Sequence, residues 1–129
     1  MVVDASVLVA ATIDSGADGA WAEEILAEGE LVAPHLALVE AANVLRRLES
    51  AKKTSSLEAT AALRELLRLD LTLVPFEPFA DRVWQLRGSV TSYDAWYVAV
   101  AETLRRPLAT LDRRLARASG PTCRFRCPQ

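Results

Sequence analysis

The sequence predicts an α/β fold, with a mostly parallel sheet of four or five strands sandwiched by helices. Three observations carry that prediction. Short β-branched runs alternate with longer runs of helical periodicity, with no internal repeat, low-complexity tract or linker. The order of those runs favours parallel strands joined through helical crossovers. The 129 residues are 51% hydrophobic and 25% charged, which is enough for one real core, so a single domain over 1–129 is expected.

The elements follow in order. "MVVD" is a short buried strand, followed by a turn of small residues. Residues 19–27 form an amphipathic surface helix ended by Gly29. "LVAP" at 31–34 is the second strand, and the long helix spans 36–52. A helix over 56–69 carries Leu63, Leu66 and Leu67 on one side, and "LTLVPF" at 71–76 is the next strand. Helix 79–86 stops at Gly88. Helix 92–105 stops at Pro107, because proline lacks the amide donor and restricts its predecessor. "PLATLD" at 107–112 leads into the helical "RRLARA", and "CRFRC" at 123–127 is the last strand.

Composition narrows the function. The longest uncharged apolar run is too short to span a bilayer, and the start "MVVDASVLVAA" lacks a positively charged leader, so a cytoplasmic location with no membrane association is expected. Cys123 and Cys127 on an extended segment have Cα atoms roughly 13 Å apart, at about 3.3 Å per residue, too far for a disulfide. Zinc is disfavoured too, since no second cysteine pair exists and the only histidine, His35, is remote. Net charge is −2 but lopsided: residues 14–30 hold six acids and no base, and residues 105–129 hold seven arginines and one acid. Each is either a solvated face or, for the arginines, a surface for a polyanion.

Four acids stand out. Ligands of parallel α/β sheets bind outside the carboxyl ends of the strands. Asp4 directly follows a strand, and Asp112 closes one just before a helix; either alone also fits an ordinary helix N-cap. Asp94 in "TSYDAWYVAVA" heads a run apolar on every side, with no Lys or Arg between Gly88 and Glu102. A capping box with Thr91 is the competing account of it. Glu40 interrupts the apolar row of Leu36 and Val44, near a border where exposure to solvent is the competing account. Two ionised carboxylates about 4 Å apart cost on the order of 4 kcal/mol at an effective dielectric of about 20, so a cluster of them needs a cation. All-oxygen ligation selects Mg²⁺ or Mn²⁺, and magnesium shares its shell with water and phosphate oxygens, pointing to a phosphodiester substrate.

The stretches "VVDASVLV", "HLALVEAANVLRR" and "TSYDAWYVAVAETLRRPLATLDRRLARA" resemble the PIN-domain nucleases, and within them the VapC toxins of bacterial and archaeal toxin-antitoxin pairs. The resemblance covers nearly the whole chain; residues 52–88 carry no family signature. It implies a three-layer α/β/α PIN-like fold in which Asp4, Glu40, Asp94 and Asp112 surround Mg²⁺ or Mn²⁺. It also implies a metal-dependent endoribonuclease that hydrolyses RNA with metal-activated water, leaving a 5′-phosphate and a 3′-hydroxyl. Asp4 and Asp94 are the implied direct metal ligands. Glu40 and Asp112 act through water or complete a second metal position that fills with substrate.

The resemblance further implies that Ser6 and Thr110 brace the strand-end acids and that Asn43 lines the site. Arg113, Arg114 and Arg117 are candidates to hold RNA phosphates, against a solvated helix face. His35 is expected to be structural, and Trp21, Trp84 and Trp96 to pack in the core, since aromatic residues interleaved with basic ones are absent. A VapB-type antitoxin and a homodimer or toxin-antitoxin hetero-oligomer are the implied assemblies, with the apolar residues of 36–48 and 56–69 facing either core or partner. Two rival classes remain: a haloacid dehalogenase-like phosphoryl-transfer enzyme using Asp4, which would need a second Asp where Ser6 stands, and a non-catalytic binding module.

Overall fold

In the computed structural model of residues 1–129, five short strands form one sheet: β1 (Val2–Val3), β2 (Leu31–Pro34), β3 (Leu71–Val74), β4 (Leu108–Ala109) and β5 (Phe125–Arg126). Every pairing is parallel, and the order is β3-β2-β1-β4-β5. The expected five-stranded parallel sheet is therefore present. Around it lie α1 (Ala5–Ile13), α2 (Ala17–Leu26), α3 (Ala37–Ser50), α4 (Ser56–Leu67), α5 (Ala80–Gln85, after a 3₁₀ turn at Glu77–Phe79), α6 (Ser92–Leu104) and α7 (Arg113–Ala116). The strand order steps outward from β1 to β3, then crosses back to β4. Right-handed crossovers accordingly place α1 to α4 on one face of the sheet and α5 and α6 on the other.

This topology makes a crevice. The chain reverses its progression between β1 and β4, the switch point at which parallel α/β sheets place a ligand crevice. Their register pairs Val2 with Leu108 and Val3 with Ala109, so Asp4 emerges beside Thr110. The Asp4 amide donates to the Ala109 carbonyl at 3.2 Å.

The core reads as the composition demands. Val2, Val3, Val7, Leu8, Ile25, Leu66, Val98, Val100 and Leu108 are fully buried, and Ala95 to Ala101 of α6 are buried on every side. That run explains the absence of a polar stripe in α6: it crosses β2, β1 and β4 with α5 packed behind it. No helix is long and apolar enough to cross a membrane, and Cys123 and Cys127 are free thiols flanking β5.

Three expectations are corrected. Residues 5–13 are a helix, not a turn of small residues: Asp4 is its extended N-cap, and its apolar residues pack against α2, α3 and α4. With all sides apolar, it offered no 3.6-residue periodicity to read. Helix α6 ends because Arg105 adopts a left-handed conformation (φ 55°) and the Arg106 amide reaches back to the Ala101 carbonyl, so the stop precedes Pro107. Trp84 is 65% exposed rather than in the core, while Trp96 is buried and Trp21 half-buried.

The lopsided charge cancels in part in space. Arg126 forms a bidentate pair with Glu28 (2.9 and 3.0 Å), and Arg106 lies 3.5 Å from Glu30. Two of the seven arginines of the basic end thus meet the chain's own acidic segment.

Candidate active site

Asp4 is the centre of the crevice. Its carboxylate is buried, and three donors address it: the Ser6 hydroxyl and the Val7 amide on Oδ1, and the Thr110 hydroxyl on Oδ2. Oδ1 is saturated by two donors, which leaves Oδ2 one lone pair for a further partner. No Lys, Arg or His makes an ion pair with it. Burial pushes its pKa up, against the three hydrogen bonds, and the charge of Asp94 adds to the rise. A buried carboxylate with neutral donors and an acidic neighbour is a site short of positive charge.

Ser6 and Thr110 do more than solvate Asp4. Ser6 Oγ also accepts from the Leu111 amide at 3.1 Å, and Thr110 Oγ1 from the Asp112 amide at 2.9 Å. The two hydroxyls therefore tie the start of α1 to the loop after β4, locking the strand-end acids into one mutual geometry. Asp112 caps α7, its Oδ1 accepting from the Arg114 and Leu115 amides at 2.9 and 3.2 Å. It remains exposed, on the same groove as Asp94.

Asp94 uses only half of the anticipated capping box. Its amide donates to Thr91 Oγ1 at 3.2 Å, whereas no return bond to the Thr91 amide forms. The carboxylate instead lines the groove. Its pKa is raised by burial first and by Asp112 second, with Thr91 opposing.

Glu40 is half-buried, and its Oε1 accepts from the Tyr97 hydroxyl at 2.9 Å, so the competing expectation of free exposure to solvent fails. Burial raises its pKa, Tyr97 opposes, and Asp94 and Asp4 raise it further. Tyr97 was missed from the sequence because it sat within a uniformly apolar run. Its position three residues after Asp94 puts both on the sheet-facing side of α6. Burial, then the charge and hydrogen bond of Glu40, holds the phenol protonated far beyond its ordinary range, so toward Glu40 it acts as the donor. We expect Tyr97→Phe to fold normally and to lower turnover of any reaction at this site by roughly 10–100-fold, the usual effect of removing a partner that orients a ligand. Unchanged turnover in a steady-state assay would show that Glu40 needs no such orientation.

Asp4 follows β1, Asp112 is tied to it through Thr110, and Tyr97 links Glu40 to the helix that carries Asp94, so the four acids lie toward the carboxyl end of the sheet. Asn43 is different: it is exposed, and its side chain accepts from Arg46 at 3.0 Å. Arg113 is anchored to the Pro128 carbonyl at 2.7 Å and Arg117 to the Arg113 carbonyl at 3.1 Å, whereas Arg114 lines the groove. His35 is exposed on the turn after β2.

No three acidic, histidine or cysteine side chains stand close enough to enclose an ion unaided. That excludes a closed cage of the zinc or calcium type. It does not disfavour magnesium, which takes one or two carboxylates and fills the remaining positions with water and phosphate oxygens. Oδ2 of Asp4 with its spare lone pair, and the groove-facing carboxylate of Asp94, fit that requirement.

Comparison with known proteins agrees with the fold. Residues 1–121 match the PIN domain family. Ribonuclease VapC1 of Mycobacterium tuberculosis is 40% identical over 126 residues, covering 97% of this chain and 95% of the relative. Ribonuclease VapC9 of the same organism is 36% identical over 123 residues, covering 95% and 94%. Among solved structures, VapBC2 from Rickettsia felis, bound to a DNA fragment from its promoter, superposes with a TM-score of 0.66 at 12% identity, covering 98% of this chain and 96% of that one. The parallel sheet, the strand-end acids and these matches together show that the chain belongs to the PIN-domain family, among its VapC members.

Proposed function

We propose that this chain is the toxin of a toxin-antitoxin pair, an endoribonuclease that hydrolyses RNA phosphodiester bonds with Mg²⁺ or Mn²⁺. One observation carries the reading: the buried Asp4 carboxylate, braced from the start of α1 and the loop after β4 and close to Asp94 and Glu40, with no cationic side chain in ion-pair contact with them. Its identity to proteins named as VapC ribonucleases supports the substrate class.

The residues divide the work. Asp4 and Asp94 would hold the metal, which when bound supplies charge to the phosphate oxygens and acidity to water. Ser6 and Thr110 fix Asp4, and Tyr97 aims Glu40 at the same space. Glu40 and Asp112 would orient water and accept its proton. A phosphoryl-enzyme route through Asp4 is disfavoured by Ser6 at the position of its required second acid and by the donors on both Asp4 oxygens. The chain is proposed to act as one domain, in the cytoplasm, held inactive by a VapB-type antitoxin, as a homodimer or a hetero-oligomer with it. Val39, Leu57 and Leu67, exposed on α3 and α4, leave apolar surface for such assembly.

Purified protein freed of any antitoxin is expected to cut a structured RNA with Mg²⁺ or Mn²⁺, to leave 5′-phosphate ends, and to fall silent in EDTA. Asp94→Ala should keep the wild-type circular dichroism spectrum and lose cleavage. Wild-type activity in EDTA, or in Asp94→Ala, would defeat the assignment.

A further inference from the structure

The groove beside the acids has features that hydrolysis alone leaves unused. It measures about 800 Å³, and Arg87, Ser89, Thr91 and Arg114 line it together with Asp94 and Asp112. Arg82, Arg106 and Arg126 each have a carboxylate partner, whereas Arg87 and Arg114 have none within 4.0 Å. Two unpaired guanidiniums thus flank an opening whose other charges are carboxylates.

Arg87 is also ordered. Its Nη1 donates to the Trp84 carbonyl at 2.7 Å, and its Cζ lies 4.6 Å from the centroid of the Trp84 ring. With the guanidinium on one ring face and the side chain 65% exposed, the opposite face of the indole meets solvent. An exposed tryptophan forgoes the burial that such a large apolar ring ordinarily gains. A π partner would recover it.

We propose that Arg87, Arg114 and Trp84 form a subsite for single-stranded RNA, resting on the ribonuclease reading above. The two guanidiniums hold a backbone phosphate next to the one being cut, and an unpaired base stacks on the open face of Trp84. The need for it is electrostatic: clustered acids repel a polyanion, and fixed cations at the rim of the groove offset that repulsion for the flanking phosphate. Guanidiniums suit the task because their planar donors match phosphate oxygens in pairs. Stacking on the indole accepts any base, so this subsite adds affinity and fixes the path of the strand without reading sequence.

The test is binding in EDTA, where no cleavage intervenes, using full-length protein and a labelled oligouridine. Trp84→Ala should weaken Kd about tenfold. Trp84→Phe should keep most of the affinity but lose the quenching of tryptophan emission that RNA produces in the wild type. The double variant Arg87→Gln/Arg114→Gln should lower the slope of log affinity against log salt by about 0.7, the one phosphate contact that the two share. Trp21→Phe, whose ring packs against the core, should change neither affinity nor quenching. If the wild type cuts structured RNA but these variants bind like it, or if it cuts RNA yet does not bind oligouridine, the subsite is wrong while the ribonuclease reading stands. A wild type that neither binds nor cuts RNA overturns both.

Discussion

Asp4→Asn is expected to lose RNA cleavage by about a thousandfold or more while becoming more stable in the absence of divalent metal. The two effects have one cause. The wild-type carboxylate supplies the negative charge that a cation needs, and removing such an electrostatic partner from a reacting centre typically costs two to three orders of magnitude or more. The same charge is a liability in the empty fold, because burial raises the Asp4 pKa and Asp94 raises it further. Asparagine keeps the shape: its Oδ1 accepts from Ser6 and Val7, and its Nδ2 donates to Thr110 Oγ1.

The sign with pH follows from linkage. Asp4, Glu40 and Asp94 all have raised pKa values in the folded chain, burial being the first cause for each. The folded state therefore holds protons that the unfolded state releases near pH 4. Stability from these groups is fully present below that value and is lost as pH rises through the raised folded values. Melting curves in EDTA should show the wild-type Tm falling over that window, Asp4→Asn falling less, and added Mg²⁺ restoring the wild type but not the variant. A variant that melts below the wild type at neutral pH, or that responds equally to Mg²⁺, would show that Asp4 is not the strained charge.

Thr110→Val should produce the largest loss of stability for a change of equal volume. Thr110 is wholly buried, and its hydroxyl serves two partners, donating to Asp4 Oδ2 and accepting from the Asp112 amide at 2.9 Å. Valine leaves both unsatisfied. Losing a bond to a charged group costs about 1.5–3 kcal/mol, and an orphaned buried donor adds to it. A fall in Tm of about 5–15 °C is expected, given roughly 2–8 °C per kcal/mol for domains near this size. The penalty should grow as pH rises, because the ionised form of Asp4 is the one that needs the donor. Thr110→Ser, which keeps the hydroxyl, should recover most of the loss. Equal melting of the valine variant and the wild type would dissolve the bracing role and leave Thr110 a simple packing residue.

Both experiments turn on residues that differ in how plainly the chain declares them. Asp4 and Asp112 were visible as strand-end acids because their neighbours are short β-branched runs with an abrupt end. Asp94 was visible as a charge at odds with its surroundings. Glu40 was ambiguous, since a helical wheel assigns a residue to a face but cannot say what lies opposite. Only the packing of α6 against the sheet supplies Tyr97 as its partner. Trp84 shows the reverse failure: an apolar helical stretch suggested core, but α5 is a six-residue helix that buries Val83 and leaves Trp84 outside. Helix α1 went unread for want of a polar face, its apolar sides being spent on α2, α3 and α4.

Local chemistry in the sequence was sufficient to determine the alternation of strands and helices, a mostly parallel sheet, the free thiols and four acids as candidates for a shared site. These depend on side-chain type and near-neighbour spacing, which the chain carries explicitly. The tertiary structure alone decided that Thr110 clasps Asp4 and Ser6 holds the Leu111 amide across more than a hundred residues, that Arg106 and Arg126 are neutralised by Glu30 and Glu28, and that Arg87 and Arg114 are left unpaired beside the acids. Each of those facts is a distance between segments remote in sequence, and such distances follow from strand order and helix packing, not from any local pattern.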